Sequence, residues 1–289
     1  MLRIALPNKG RLSDDARELF ADAGLEVRAR GDRALTASLG GEFEAIFVRA
    51  QDIPEFVADG AADAGVTGAD LVRESGRALR DLIDLGFGRC RIVVAATDDR
   101  GITTLADIAA AHERAPRVAT VFPRITREFF ADAGIAIDIV PVSGACEIAP
   151  HLGIADIIVD LTSTGSTLRV NGLREVVTVL ESSARLITAP DLAPEKIRVL
   201  EELVTSLESV LRARGQRYLM ANVPRAALAD VKGVLPGLNG PTVIDLLNGG
   251  TMVAVHAVVP ASAIYRTIGQ LKALGGEGIL VTRIERLMP

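Results

Sequence analysis

Short apolar runs of strand length alternate with helix-length amphipathic stretches for roughly the first two-thirds of the chain. Residues 4–6 form an apolar run stopped by Pro7, and Pro7-Asn8-Lys9-Gly10 leads into a helical pattern capped by Ser13 and ended at Gly24. Residues 45–48 read as a buried strand, followed by a helix near 53–59. Residues 64–67 form a strand, with a turn at Gly68 and a short helix from Asp70. Further strands are expected at 92–96, 117–120, 137–141 and 156–161, with helices between them. Such alternation predicts helices on both faces of a largely parallel sheet.

From about residue 192 the period changes. Residues 194–214 read as one long helix with apolar positions at Ile197, Leu200, Val204, Leu207 and Leu211. Beyond it the pattern gives strand 218–222, helix 225–232, strands 242–246 and 252–259, helix 261–274 and strand 278–284. That β-α-β-β-α-β order is the ferredoxin-like plan. An internal echo lies upstream: residues 17–25, RELFADAGL, return as 127–135, REFFADAGI, with seven of nine positions identical. In both copies a helix ends at glycine and a strand follows, as a left-handed C-cap requires. Two similar α/β lobes around a cleft would produce the repeat; similar helix–glycine–strand joints in any alanine-rich chain are the plainer explanation.

Composition narrows the function classes. The 289 residues suffice for two or three domains, and with 3% aromatics and no Trp the core must be aliphatic. So few aromatics argue against a stacking platform for single-stranded nucleic acid. A net charge of −5, with both signs interspersed, argues against a broad basic face for duplexes, so no nucleic-acid partner is expected. A small positive pocket for a phosphorylated metabolite stays compatible with it. Two cysteines, Cys90 and Cys146, and three scattered histidines give neither a disulfide framework nor a zinc spacing. No apolar run reaches export-signal or membrane-spanning length, so a cytoplasmic protein without a membrane partner is expected.

The chemistry concentrates at 155–168, ADIIVDLTSTGSTL: a buried strand ending in an aspartate, a hydroxyl-rich turn with one glycine, then a helix. A phosphate monoester suits such a turn. Unpaired N–H groups at a helix start attract anions, Gly165 lets the backbone come close, and Ser163, Thr164, Ser166 and Thr167 add hydroxyls. An aspartate at the carboxyl end of the strand can face ribose hydroxyls.

With Glu147, Gly153, Ala155, Ile158, Asp160, Leu161, Thr164, Gly165, Thr167 and Leu168, the segment has the form E-x5-G-x-A-x2-I-x-D-L-x2-T-G-x-T-L, which resembles the signature of ATP phosphoribosyltransferases. RIALPNKGRL (3–12), FVRAQDIP (47–54), DAGVTGADL (63–71), LGFGRCR (85–91) and GACE (144–147) are similar to that family too. GPT (240–242) and LKALGGEGIL (271–280) resemble the histidine-sensing module of its long form.

The resemblance implies an α/β, bilobal core like that of type II periplasmic binding proteins, followed by a ferredoxin-like (ACT-like) α+β domain. Its parts would be lobe I (1–92, joined by a returning segment at about 180–211), lobe II (93–179) and a regulatory domain (212–289). It implies transfer of phosphoribosyl from phosphoribosyl pyrophosphate to N1 of ATP, opening histidine biosynthesis. Mg²⁺ would be held mainly by substrate oxygens, histidine would act as allosteric inhibitor, and a homodimer would assemble into a hexamer.

Thr164, Gly165, Ser166 and Thr167, with Thr162 and Ser163, would bind the 5′-phosphate, while Asp160 and Asp156 would face the ribose; a solvated strand-start residue is the other reading of Asp156. Glu147 would line the same pocket. Lys9 and Arg49 would reach polyphosphate, with Arg11 and Arg33 as further phosphate ligands. Asp70 either caps its helix or touches the adenosine. A bilobal sensor without catalysis is the alternative function. A phosphoribosyltransferase for another base fits less well, because Val159-Asp160 supplies one acid where two adjacent ones are usual.

Overall fold

The computed structural model describes residues 1–29, 34–110, 114–247 and 250–288. Contacts divide it into two units, Met1–Val204 and Thr205–Pro289.

The first unit opens with β1 (Leu2–Pro7), α1 (Arg11–Asp22), β2 (Arg28–Ala29), β3 (Thr36–Ser38), β4 (Phe43–Val48), α2 (Ile53–Ala58), β5 (Ala64–Gly68), α3 (Ala69–Ser75) and β6 (Arg80–Asp84). The chain continues through β7 (Cys90–Thr97), α4 (Leu105–Ala110), β8 (Arg117–Thr120), α5 (Pro123–Asp132), β9 (Asp138–Pro141), β10 (Ile157–Thr162), α6 (Ser166–Val170) and β11 (Leu173–Ser182). It then returns as β12 (Ala184–Thr188) before α7 (Pro194–Ala213).

Two mixed sheets result, one of order β2-β3-β4-β1-β5-β12-β6 and one of order β11-β7-β10-β8-β9. Only three neighbouring strands of each pair in parallel: β4, β1 and β5 in the middle of one, β10, β8 and β9 at one end of the other. The expectation of a largely parallel sheet is corrected accordingly. The antiparallel strands β7, β11 and β12 belong to the paths between the sheets, and their reversal is what lets the chain leave one lobe and return to it. Residues 85–89 make the outward crossing and Ser183 the return, zipped together by Leu85 N–H to Ala184 O at 2.9 Å and Ala184 N–H to Phe87 O at 3.0 Å. The bilobal core is therefore present.

Sequence periodicity gave no sign of β3, β6, β11 or β12. Two irregularities in the pairing of β11 with β7 break its alternation. The helix expected between β9 and β10 is only a 3₁₀ turn, Cys146–Ile148. Ser13 does not cap α1: the cap position is Gly10, and Ser13 lies buried within the first turn.

The repeated segments end in the same way. Gly24 and Gly134 take φ of 78° and 69°. Their N–H groups bond Ala21 O and Ala131 O, and the next residues, Leu25 and Ile135, reach back to Phe20 O and Phe130 O. That double closure is the Schellman motif. Phe20 and Phe130 are fully buried, each anchoring its helix to its own lobe. The following strands differ, however: β9 pairs parallel to β8, whereas β2 pairs antiparallel to β3. The joint recurs; the topology it feeds does not.

Aliphatic side chains fill both faces of the second sheet. Ile92, Val94, Ile157 and Val159 pack on Ile125 and Phe130, while Val93, Ala95 and Ile158 pack on Cys146, Ala149 and Leu168.

The second unit holds β13 (Gln216–Pro224), α8 (Leu228–Val234), β14 (Thr242–Asp245), β15 (Met252–Pro260), α9 (Ile264–Ala273) and β16 (Glu277–Arg283). Its antiparallel sheet has the order β14-β15-β13-β16, the ferredoxin-like arrangement. Alternate residues of β15 (Val253, Val255, Ala257 and Val259) are buried in one core with Val231 of α8 and Leu271 of α9. No helix among the described residues is long and apolar enough to cross a membrane.

Candidate active site

Strand β10 runs one residue past the exposed Leu161 and ends at Thr162, which is buried like Ile157, Ile158 and Val159. The chain then turns on Gly165, whose φ of 73° places it in the left-handed region at the cap position of α6. A β-carbon there would lie 2.6 Å from Glu175 Oε1 and 3.0 Å from Arg169 Nη1, so the turn admits only glycine without displacing both. Those neighbours brace the turn from below. Arg91 Nη2 donates to both oxygens of Glu175 at 2.7 Å, Arg91 Nη1 reaches Ser163 O at 3.4 Å, and Arg169 Nη1 donates to Thr164 O at 3.2 Å.

Above the brace, Ser163, Thr164, Ser166 and Thr167 are exposed, with Thr164 Oγ1 and Ser166 Oγ 2.9 Å apart. Thr162 has a different task from the one expected of it. Its hydroxyl is buried and accepts the Gly165 N–H at 2.9 Å, shaping the turn from inside. That bond also turns one backbone donor inward. Since α6 spans only Ser166–Val170, its dipole adds little, and hydroxyls supply most of the turn's polarity.

Asp160 points to the same face of β10 as Ile158, where it meets the 3₁₀ turn Cys146–Ile148. The Cys146 thiol and the Leu161 N–H (2.7 Å) both bond its carboxylate. Burial raises its pKa above the ordinary 3.8, and the nearby Glu147 charge pushes the same way, against the pull of those two donors. The same environment, burial first and then the Asp160 charge, lifts the Cys146 thiol to about 12, so this cysteine is a neutral donor rather than a nucleophile. Ala145, just before it, has φ 51°, the sole non-glycine residue with positive φ among those described. Such strain, ~1–2 kcal/mol, comes immediately before Cys146, whose thiol bonds Asp160.

Leu161, on the other face of β10, borders the cleft between the lobes, while Ile157 and Val159 on that face are buried in the lobe II core. A cavity of about 410 Å³ is lined from lobe I by Lys9, Gly10, Ala50, Asp70 and Leu71, and from lobe II by Phe122, Leu161 and Ser163. Its walls are mainly apolar, with one ammonium and one carboxylate. Asp70 is buried in the first turn of α3. It does not cap that helix: its Oδ1 accepts the Ser182 hydroxyl at 2.6 Å, and Ser182 Oγ accepts the Asp70 N–H at 3.0 Å.

Cys90 and Ser163 also line a second cavity, of about 330 Å³, with Arg89, Arg91 and Arg185 set against Asp84 and Glu181. There, burial would raise the Asp84 pKa, but Gly86 N–H, the Ser183 hydroxyl and the charges of Arg185 and Arg89 together hold it below its ordinary value.

One expected residue, Asp156, does not join this assembly. Asp156 sits at the other end of β10, ~20 Å along the strand from Thr162, where it is 8% exposed. It accepts Arg117 N–H at 2.8 Å and pairs with Arg100 at 3.2 Å and Arg114 at 3.0 Å. Ligand contact is thereby corrected to a buried ionic clamp. Arg49 lies exposed one residue past β4, beside Ala50 of the cavity wall. Arg33 falls outside the described residues; Arg11 opens α1. Arg91, Glu175, Cys146 and Ser182 escaped sequence reasoning. Arg91 and Cys146 do lie within the family-like segments LGFGRCR and GACE, the signal that could have found them.

Residues 49–209 match the family described as ATP phosphoribosyltransferase, and residues 213–286 match "HisG, C-terminal domain". An ATP phosphoribosyltransferase of Gemmatimonas aurantiaca is 72% identical over 296 residues, covering the whole of both chains. The chain belongs to the ATP phosphoribosyltransferase family. A relative of that name from Halobacterium salinarum is 50% identical over 289 residues, covering 99% of this chain and all of its own. Among solved structures, an ATP phosphoribosyl transferase (HisG:HisZ) complex from Thermotoga maritima superposes with a TM-score of 0.64 at 27% identity, over 73% of this chain and 99% of that one. Family membership makes this chain a transferase of histidine biosynthesis acting on ATP and phosphoribosyl pyrophosphate, and the second match gives it the long form. A catalysis-free sensor is not favoured.

Proposed function

We propose that the turn 162–167 grips the 5′-phosphate of phosphoribosyl pyrophosphate, with Asp160 and Glu147 beside the ribose, while ATP enters the cleft against Lys9 and Asp70. The carrying observation is the Gly165 turn itself: four hydroxyl-bearing residues outside, a buried hydroxyl and an Arg91–Glu175 brace inside. Arg49 and Arg11, and Arg33 with them, are assigned to polyphosphate at the rim.

In this reading adenine N1 attacks C1′ of the ribose. The N1–C1′ bond forms as the C1′–O bond breaks, and its electron pair leaves with pyrophosphate. Positive charge grows on the ring, which a buried carboxylate at Asp160 favours if ionised, and which its raised pKa makes sensitive to pH. Holding the two substrates in line supplies most of the rate, because no covalent step on the protein is required. Apolar walls at Leu12, Leu71, Phe122 and Leu161 exclude water around the base.

No cluster of three or more metal-ligating side chains occurs among the described residues. Asp160 and Glu147 are the carboxylates that would lie within reach of a Mg²⁺ carried chiefly on substrate oxygens. When bound it would neutralise charge on the departing pyrophosphate.

The three-part division into lobe I (1–92 with 180–211), lobe II (93–179) and a regulatory domain (212–289) is part of the proposal. So are a cytoplasmic location, homo-oligomerisation from dimer to hexamer, and inhibition by histidine bound to the last domain. Support for regulation comes from the ferredoxin-like sheet and its family match. Mixing the protein with ATP, phosphoribosyl pyrophosphate and Mg²⁺, with and without histidine, and following product absorbance tests it. Product formation slowed by histidine is expected. Inhibition that persists after residues 214–289 are removed would place the effector elsewhere.

A further inference from the structure

Helix α5 in lobe II begins without a cap of its own. Its cap position is Phe122, which has no polar side-chain atom, and Pro123 has no N–H to donate. The first two donors of the helix, the N–H groups of Arg124 and Ile125, are instead taken by Glu74 of lobe I, at 2.9 Å to Oε1 and 3.0 Å to Oε2. One carboxylate from α3 thus completes the first turn of a helix in the other lobe. Helix starts ordinarily find such an acceptor within their own sequence.

The contact is broader than one residue. Arg73, beside Glu74, donates to Glu128 of α5 at 3.3 Å. The Arg124 guanidinium lies over Gly76, where a side chain would not fit. Leu71, one turn earlier on α3, packs into the lobe II core that includes Phe122 and Ile125. Leu71 and Phe122 also form part of the cavity wall, and Asp70 of the same helix holds the Ser182 hydroxyl at the return crossing. Helix α3 consequently touches the crossing, the cavity and the start of α5 in succession.

We propose that Glu74 is a positioning residue: by capping α5 across the cleft it sets the spacing between the Lys9–Asp70 wall and the Leu161–Ser163 wall, and so the alignment of the two substrates. It touches neither substrate. Opening the lobes would cost two charge-assisted hydrogen bonds and return both N–H groups to water, which biases the enzyme toward the closed cleft. The inference rests on the cavity assignment made above, but the latch itself is measurable without any substrate.

The test uses full-length Glu74→Ala and Glu74→Gln, with steady-state kinetics and amide hydrogen exchange. For Glu74→Ala, kcat is expected to fall ~10-fold or more while KM for phosphoribosyl pyrophosphate stays within about threefold, because the loss is one of alignment. Amides 124 and 125 should exchange faster in the substrate-free protein. Glu74→Gln, which retains one acceptor oxygen, should recover most of kcat and give intermediate protection. Unchanged kcat in Glu74→Ala, or protection at 124–125 equal to wild type, would overturn the proposal. If Glu74→Ala does not fold, protection in Glu74→Gln decides in the same way: intermediate supports the latch, wild-type protection rejects it. Failure of the cavity assignment would show separately, as ATP leaving exchange around Leu71 and Phe122 unaltered in the wild-type enzyme.

Discussion

The two ends of β10 carry an aspartate each, four positions apart, and the chain uses them in opposite ways. Asp156, at the amino end, is closed in by Arg100, Arg114 and the Arg117 backbone. Asp160, near the carboxyl end, is bonded by one thiol and one N–H and has another acid, Glu147, nearby. The first carboxylate is compensated by two guanidinium groups and a backbone donor; the second is compensated only in part, and burial raises its pKa. In an open α/β sheet the carboxyl ends of the parallel strands face the ligand crevice, whereas the amino ends face other structure. On the proposed reading, position along the strand, more than residue type, sets which aspartate faces the ligand.

Distorting the active end should have the largest effect. Gly165→Val demands φ near 73° from a β-branched residue and forces it against Glu175, which Arg91 holds. Affinity for phosphoribosyl pyrophosphate is expected to fall on the order of 100-fold, measured by calorimetric titration, as the loop is displaced. An unaltered affinity would remove the turn from the site.

Asp160→Asn comes next, with ~10–100-fold lower kcat/KM, the range for one charged hydrogen bond. Its stability should move the other way. Because burial raises the folded-state pKa, the folded protein binds more protons than the unfolded one between the two pKa values, and wild-type stability falls as pH rises through that window. The asparagine variant lacks this loss. Its Tm should exceed that of wild type at pH 8, with the gap closing as pH falls toward 4; a gap that widens on acidification would contradict the cause given.

Asp156→Ala should show the mirror image. Leaving two arginines and one N–H without their buried acceptor should cost ~3 kcal/mol in urea unfolding, with kcat of the folded enzyme preserved. A kcat loss at full stability would restore Asp156 to the site.

The smallest effect separates the cysteines. Cys146, fully buried with its pKa at about 12, should resist iodoacetamide at pH 8, while Cys90, at the junction of both cavities, takes the label and is protected by ATP. Mapping the label by mass spectrometry checks this, and modification of Cys146 first would count against the thiol–carboxylate pair.

Most of this architecture was legible in the sequence. Parallel strands β1, β5, β8 and β10 each carry short runs of buried residues, and the glycine-ended repeat marked two helices that terminate identically. The ferredoxin-like unit followed from order alone. Antiparallel β11 and β12 were missed because their irregular pairing blurs the alternation, although the resemblance implied a return of the chain to lobe I at about 180–211. At the site, the hydroxyl turn was readable because its residues are consecutive. Partners contributed from afar were not: Glu175 lies 84 residues from Arg91, and Ser182 lies 112 from Asp70. No local pattern encodes such pairs. Asp156 misled for the same reason, since Arg100 and Arg114 reach it across 56 and 42 residues.

The most direct test of the account is to titrate phosphoribosyl pyrophosphate into three proteins under one condition: wild type, Gly165→Val and Asp156→Ala. The account predicts that the first variant loses binding and the second retains the wild-type affinity wherever it is folded. Equal losses in both, or loss in Asp156→Ala alone, would mean that the ligand does not sit at the carboxyl end of β10.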